Sequence, residues 1–162
     1  MGKGRKKEKV SKVEKAFSAG GVVFKEGADE FKFLIIKPTG TDRWQFPKGL
    51  INDGESSKET AVREVAEEGG VDTEIISKLG ITRYFFVWEG KKIFKTVTFY
   101  LMRYIKNTGK GHDKEVDEAI FLPFDGAYEK LTFKDDKRFL KQAKEEIEQG
   151  IQEHLLYNRR PV

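Results

Sequence analysis

Residues 49–71 read Gly49-Leu-Ile-Asn-Asp-Gly-Glu55-Ser-Ser-Lys-Glu-Thr-Ala-Val-Arg63-Glu64-Val65-Ala-Glu67-Glu68-Gly-Gly70-Val71. After Gly49 come five residues and Glu55, then seven residues and the run Arg-Glu-apolar-x-Glu-Glu-x-Gly-apolar. Ser56 or Ser57 suits a helix N-cap, and Gly69-Gly70 supplies the stop. At about 100° per residue, Glu64, Glu67 and Glu68 fall on one side of that helix, and Val62, Val65 and Ala66 on the other. The expectation is an apolar face packed on a core, with the glutamates turned outward or into a cleft.

Glu64 is i,i+3 to Glu67 and i,i+4 to Glu68. Like charges at those spacings destabilise a helix by about 0.2–0.5 kcal/mol per pair. A divalent cation would offset the repulsion, and hard oxygen ligands in this number suit Mg²⁺ or Mn²⁺ rather than zinc. Arg63 is placed to pair with Glu55 or Glu67 and so orient a carboxylate.

The segment resembles the signature of the Nudix hydrolase family, whose members cleave nucleoside diphosphates linked to another moiety with Mg²⁺ or Mn²⁺. The resemblance implies that the Gly49 carbonyl, Glu67 and Glu68 ligate metal. Glu64 would be a further ligand or the base that activates water, with Arg63 holding it. Glu55 and Gly70 would support the loop–helix geometry. Gly69 stands where many members have threonine.

The 162 residues suit a single domain with a real core. The net charge is +4, but residues 1–15 hold seven Lys/Arg against two Glu, so the basic character belongs to the N-terminal segment. That segment has no apolar h-region and is expected to be a disordered tail rather than a signal peptide. A sharper alternative makes it an electrostatic arm for RNA or a polyanionic substrate. No apolar run approaches the roughly 18–20 residues of a membrane span. The absence of cysteine rules out disulfides and thiol catalysis, and fits a cytoplasmic location.

Strands are expected at Ala16–Lys25, Phe31–Pro38, Ile75–Trp88, Lys92–Ile105 and Glu118–Phe124, with a short extended piece at Trp44–Phe46. Glu89-Gly90-Lys91 turns the chain between the two long strands, making a hairpin. A short helix is expected at Asp125–Leu131. From Asp135, apolar residues at 140, 143, 147, 151 and 155 step by three or four, which predicts an amphipathic helix. The domain is expected to span residues 16–157, with 158–162 frayed. The class is α+β, and the resemblance implies an α/β/α sandwich around a mixed central sheet.

The signature fixes a reaction type, not a substrate. The wider run, AFSAGGVVF through FPKG to KIFKTVTFYLMRY and EVDEAIFLP, resembles the bis(5′-nucleosyl)-tetraphosphatases. An adenine needs an aromatic platform, and Tyr84 is the candidate within Tyr84-Phe-Phe-Val-Trp88. A polyphosphate needs fixed cations, for which Lys95, Lys48 and Arg83 are candidates; Lys95 interrupts an otherwise apolar strand. The resemblance also offers Glu115 as an auxiliary metal ligand or base. His112 and His154 read as solvated.

The implied reaction is metal-assisted hydrolysis of a phosphoanhydride, with diadenosine tetraphosphate cut asymmetrically to ATP and AMP. Diphosphoinositol polyphosphates, 5′-triphosphate RNA ends and damaged nucleotides are alternatives. A non-catalytic nucleotide- or RNA-binding module is the alternative of another class. The expected partner is a small nucleoside polyphosphate, with no membrane and no nucleic acid beyond RNA 5′ ends. The chain is expected to be a monomer or homodimer.

Overall fold

The computed structural model of the chain describes residues 12–158. Of the expected tail, residues 1–11 lie outside the described residues, as do 159–162 of the expected frayed end. The elements run β1 (Glu14–Glu26), β2 (Phe31–Pro38), β3 (Lys48–Leu50), α1 (Ser57–Gly69), β4 (Val71–Trp88), β5 (Lys91–Asn107), β6 (Val116–Pro123), α2 (Phe124–Lys130) and α3 (Lys134–Asn158). No described helix is long and apolar enough to cross a membrane.

The strands form one mixed sheet in the order β4-β5-β1-β2-β6, with β3 paired to β1. β1 runs parallel to β5, while its pairings with β2 and β3 are antiparallel. β1 is buried on both faces from Ser18 to Val23, so it reads as a continuous small and apolar run rather than an alternating one. One core lies between the sheet and the helices α2 and α3, built on Val22, Phe99, Phe139 and Leu140. The other lies between the sheet and α1, built on Ala19, Val65, Tyr100 and Met102. This is the α/β/α sandwich expected from the sequence.

Ser56 is the N-cap of α1: its hydroxyl accepts the Glu59 N–H at 3.1 Å. Gly70 closes the helix in the left-handed conformation (φ 69°), with its N–H on the Ala66 carbonyl at 3.0 Å. That tight reversal feeds the chain straight into β4 at Val71, four residues before the expected start.

Three further expectations are corrected. β1 begins at Glu14, inside the expected tail, because it pairs along β5 from Ile93 onward. Residues 48–50 form a strand, drawn into the sheet by pairing with Ser18, Ala19 and Gly20. On α1, Ala61, Val65 and Glu68 are buried, while Val62 and Ala66 are only half-buried. The face that meets the sheet is thus rotated toward the glutamates, and Glu68 sits at its inner edge.

Candidate active site

Arg63 organises the outer layer of the site. Its Nε and Nη2 donate to the two Glu55 oxygens at 2.8 and 2.9 Å, a bidentate pair. Nη2 also donates to the Leu50 carbonyl at 3.0 Å, and Nη1 to Glu64 Oε1 at 2.8 Å and Glu67 Oε2 at 3.3 Å. Glu55 further accepts the Thr60 hydroxyl at 2.5 Å and the Asn52 N–H at 3.3 Å. These donors, Arg63 first, hold the Glu55 carboxyl down at about 2. One guanidinium therefore ties the loop 50–55 to the helix that carries the glutamates.

The three glutamates occupy different environments. Glu67 is half exposed, whereas the Glu64 side chain is largely covered. Burial lifts the Glu64 pKa against the pull of Arg63. Glu68 is buried, and its Oε1 accepts the Lys48 backbone N–H at 2.8 Å. Burial pushes its carboxyl up to about 8, with Glu64, Asp113 and Glu115 adding to the rise. Gly49 abuts Glu64 so closely that a side-chain carbon at residue 49 would overlap the Glu64 carboxylate. A side chain at residue 49 would displace the Glu64 carboxylate, the free end of a flexible side chain.

Glu115 and Asp113 arrive from the β5–β6 connection. The Asp113 N–H donates to the Glu67 carbonyl at 2.8 Å, and the Glu115 N–H donates to Asp113 Oδ1 at 3.0 Å. The Gly70 position makes room for this loop: a Cβ there would press on the Gly111 backbone. Asp113 was not a sequence candidate, because nothing in its local pattern marks it. His112 is exposed, with its ring Nδ1 3.2 Å from the Asp113 carbonyl oxygen.

Among the described residues, no three His, Asp or Glu side chains already stand close enough together to hold a metal ion. The chemistry of the set nevertheless fits a hard divalent cation. It offers a buried carboxylate, a largely covered one and a backbone carbonyl at a glycine, with further negative charge from Asp113 and Glu115 nearby. Gly49, Glu64, Glu67 and Glu68 would hold the ion, with Glu115 in reach of the same field.

Opposite this cluster, a cleft of about 510 Å³ opens, lined by Arg43, Gln45, Lys48, Tyr84, Phe133 and Asp136 among others. Lys48 Nζ donates to the Tyr84 hydroxyl at 3.2 Å. Lys95 is the cross-strand partner of Tyr84 and is half-buried. Burial lowers its pKa, while Tyr84, Glu64 and Glu68 pull the other way. Lys48, Tyr84 and Lys95 thus come together beside the carboxylates. Arg83 does not: it is exposed on the opposite face of β4 from Tyr84, because neighbouring strand residues alternate.

Asp136, also absent from the sequence candidates, is buried at the first turn of α3. Burial lifts its carboxyl to about 6 against the pull of Lys48 and of the nearby Phe46 N–H. An aspartate at a helix start ordinarily signals capping, so sequence offered no reason to place it in a cleft.

The NUDIX domain model matches residues 15–143 of the chain. A Mycobacterium tuberculosis protein with the provisional name mutator protein MutT4 is 36% identical over 138 residues, covering 81% of this chain and 55% of its own length. The chain thus spans about half of that relative. The asymmetrical bis(5′-nucleosyl)-tetraphosphatase of Sus scrofa is 31% identical over 122 residues, covering 69% of this chain and 78% of its own. Among solved structures, the binary complex of a C. elegans Ap4A hydrolase superposes with a TM-score of 0.63 at 19% identity, covering 82% of this chain and 97% of that one. With the signature folded into a loop–helix carboxylate site on an α/β/α sandwich, the chain belongs to the Nudix family.

Proposed function

We propose that the protein is a metal-dependent pyrophosphohydrolase of nucleoside polyphosphates, and that it cleaves diadenosine tetraphosphate asymmetrically to ATP and AMP. The observation that carries the reading is Lys48. Its backbone N–H is bonded to Glu68 in the carboxylate cluster, and its ammonium reaches Tyr84 in the cleft. A polyphosphate between these ends has a site for divalent charge, flanking cations and a ring for its base.

A bound Mg²⁺ or Mn²⁺ supplies charge neutralisation and a more acidic water. The chain's own residues supply the rest. Glu64 or Glu115 accepts the proton of the attacking water, and Arg63 fixes the Glu64 carboxylate for that task. Lys48 and Lys95 stabilise charge on the departing phosphate. Tyr84 gives an adenine a stacking platform, worth roughly 1–3 kcal/mol. The Sus scrofa relative is named for this cleavage.

A second reading is hydrolysis of guanine nucleoside triphosphates. It is favoured by Asp136, whose carboxylate lines the same cleft as Tyr84 and can accept the paired N–H donors of a guanine edge. The Mycobacterium tuberculosis relative carries a mutator-protein name.

The test is incubation with Mg²⁺ and a panel of diadenosine tetraphosphate, GTP, dGTP, 5′-triphosphate RNA and inositol pyrophosphates, with products separated by anion exchange. ATP plus AMP as the fastest products supports the first reading. Faster turnover of guanine triphosphates supports the second. No turnover of any substrate overturns both and leaves a binding module.

A further inference from the structure

The β4–β5 hairpin and the start of β1 extend beyond the first turn of α1, and on the side facing away from the cleft no described element covers them. In one cross-strand row stand Phe85, Phe94 and Lys15; in the next, Arg83, Thr96 and Phe17. Phe85 and Phe17 are 56% and 54% exposed, far more than large aromatics in a sheet ordinarily are. Helix α1 lies on this same side, but its first turn stops at Tyr100, where Ser57 Oγ meets the Tyr100 hydroxyl at 2.5 Å. Beyond that point no described element covers the rings.

Three described cations share this face with the rings. Lys92 Nζ lies 4.7 Å from the Phe85 ring centroid, and Arg83 and Lys15 occupy the neighbouring positions of the two rows. The only acidic residue of β1 near this end, Glu14, faces away and pairs with Lys91 at 3.3 Å. Phe85 and Phe94 pack on each other with their ring centroids 4.7 Å apart.

We propose that this exposed sheet face binds single-stranded nucleic acid, with bases stacked on Phe85 and Phe17 and phosphates on Arg83, Lys15 and Lys92. Aromatic rings interleaved with cations on an open sheet are the chemistry that holds an unpaired strand: every base has a π-face, and every linkage a negative charge. A second copy of the chain suits the face poorly, because a twofold pairing would bring two positively charged patches together. β4 is the edge strand of the sheet, so a strand bound here can pass its edge and reach the cleft side at Tyr84. The inference stands apart from the proposed reaction, since it uses no cleft residue.

The test is fluorescence anisotropy of fluorescein-labelled ten-nucleotide oligo(U) and oligo(dT) with the full chain in EDTA. The expected dissociation constant lies at about 10⁻⁶ to 10⁻⁴ M, with log K falling against log salt at a slope of about −2 for three phosphate contacts. Phe85→Ala and Phe17→Ala are each expected to weaken binding about ten-fold. Lys92→Glu, a change at an exposed side chain, is expected to weaken it and flatten the salt slope even if a phenylalanine variant fails to fold. Equal affinity for oligo(U) and oligo(dT) is expected from stacking. Binding unchanged in all three variants overturns the proposal, as does loss in Tyr84→Ala with retention in Phe85→Ala, which would assign the strand to the cleft. A concentration-dependent dimer in sedimentation, dissolved by Phe85→Ala, overturns it in favour of self-association.

Discussion

Gly49 and Glu64 occupy the same small space: the Glu64 carboxylate fills the volume where a residue-49 side chain would begin. The β3 backbone and the α1 carboxylate therefore form one surface, and neither can be changed without moving the other. Gly49→Ala is expected to push Glu64 off its position and lower kcat by about 10²-fold, the scale of a misplaced catalytic group. Circular dichroism and kcat at saturating Mg²⁺ check it. A folded variant with wild-type turnover would show that Glu64 can shift from this position without cost to the chemistry.

Glu67 and Glu68 separate by burial. Glu67→Gln and Glu68→Gln are each expected to lower kcat by at least about 10²-fold. Their stabilities without metal should diverge. Glu68 is ionised at a cost, because its folded pKa is raised to about 8 from 4.5. A carboxylate raised in this way destabilises the fold as pH climbs through that window, fully so above it. Glu68→Gln is thus expected to raise the metal-free melting temperature at pH 9, while the half-exposed Glu67→Gln leaves it within a degree or so. Equal shifts in thermal melts would contradict the burial of Glu68.

Asp136 gives a second pH signature of the same sign. Its carboxyl sits at about 6 when folded against 3.8 in the ordinary case, raised by burial and by Asp135 and opposed by Lys48 and the Phe46 N–H. The wild type therefore loses stability relative to Asp136→Asn as pH rises from about 4 through 6, by roughly 2–3 kcal/mol at most, and the gap is flat above that. Asparagine keeps the size and an acceptor oxygen at that position. Urea melts from pH 4 to 8 measure the gap; a gap that shrinks with rising pH would reverse the assigned direction.

Tyr84 and Arg83 are adjacent in sequence and opposite in space. Tyr84→Ala is expected to raise KM for a nucleoside polyphosphate by about ten-fold, from lost stacking. Tyr84→Phe keeps the ring and loses only the Lys48 hydrogen bond, so its KM should rise by about three-fold or less. Arg83→Ala faces away from the cleft and is expected to leave that KM within about two-fold. A larger effect from Arg83 than from Tyr84 in steady-state kinetics would invert the assignment of the two faces.

Arg63 contacts four groups, Glu55, Glu64, Glu67 and the Leu50 carbonyl, which only a planar fork can reach together. Arg63→Lys cannot bridge Glu55, the Leu50 carbonyl and Glu64 at once. It is expected to lower kcat by at least about ten-fold, with a smaller effect on KM. Unchanged kcat in the lysine variant would show that charge alone suffices there.

Much of this was readable before the fold was known. The spacing from Gly49 to Val71 gave the helix, its capping serine, its glycine stop and the carboxylate set, because these are local properties of a 3.6-residue repeat. The β4–β5 hairpin, the terminal helix and the α+β class followed from alternation and periodicity in the same way, and the resemblance added the α/β/α sandwich. The repeat states which residues share a side of a helix, however, and not which side meets the sheet. Only the packing of α1 against β1, through Ala61 and Val65, turned Glu68 inward and left Val62 at the margin.

The sequence by itself carried the Nudix signature and, with it, the expected metal-site chemistry and reaction class, since all of these rest on residues within one short segment. Tertiary structure alone decided the rest. It brought the Lys48 N–H to Glu68 across 20 residues and set Asp113 and Glu115 beside α1. It also put Asp136 into the cleft and turned Arg83 away from it. These relationships depend on strand register and on loops closing over long separations, where a one-residue slip exchanges the two faces of a strand.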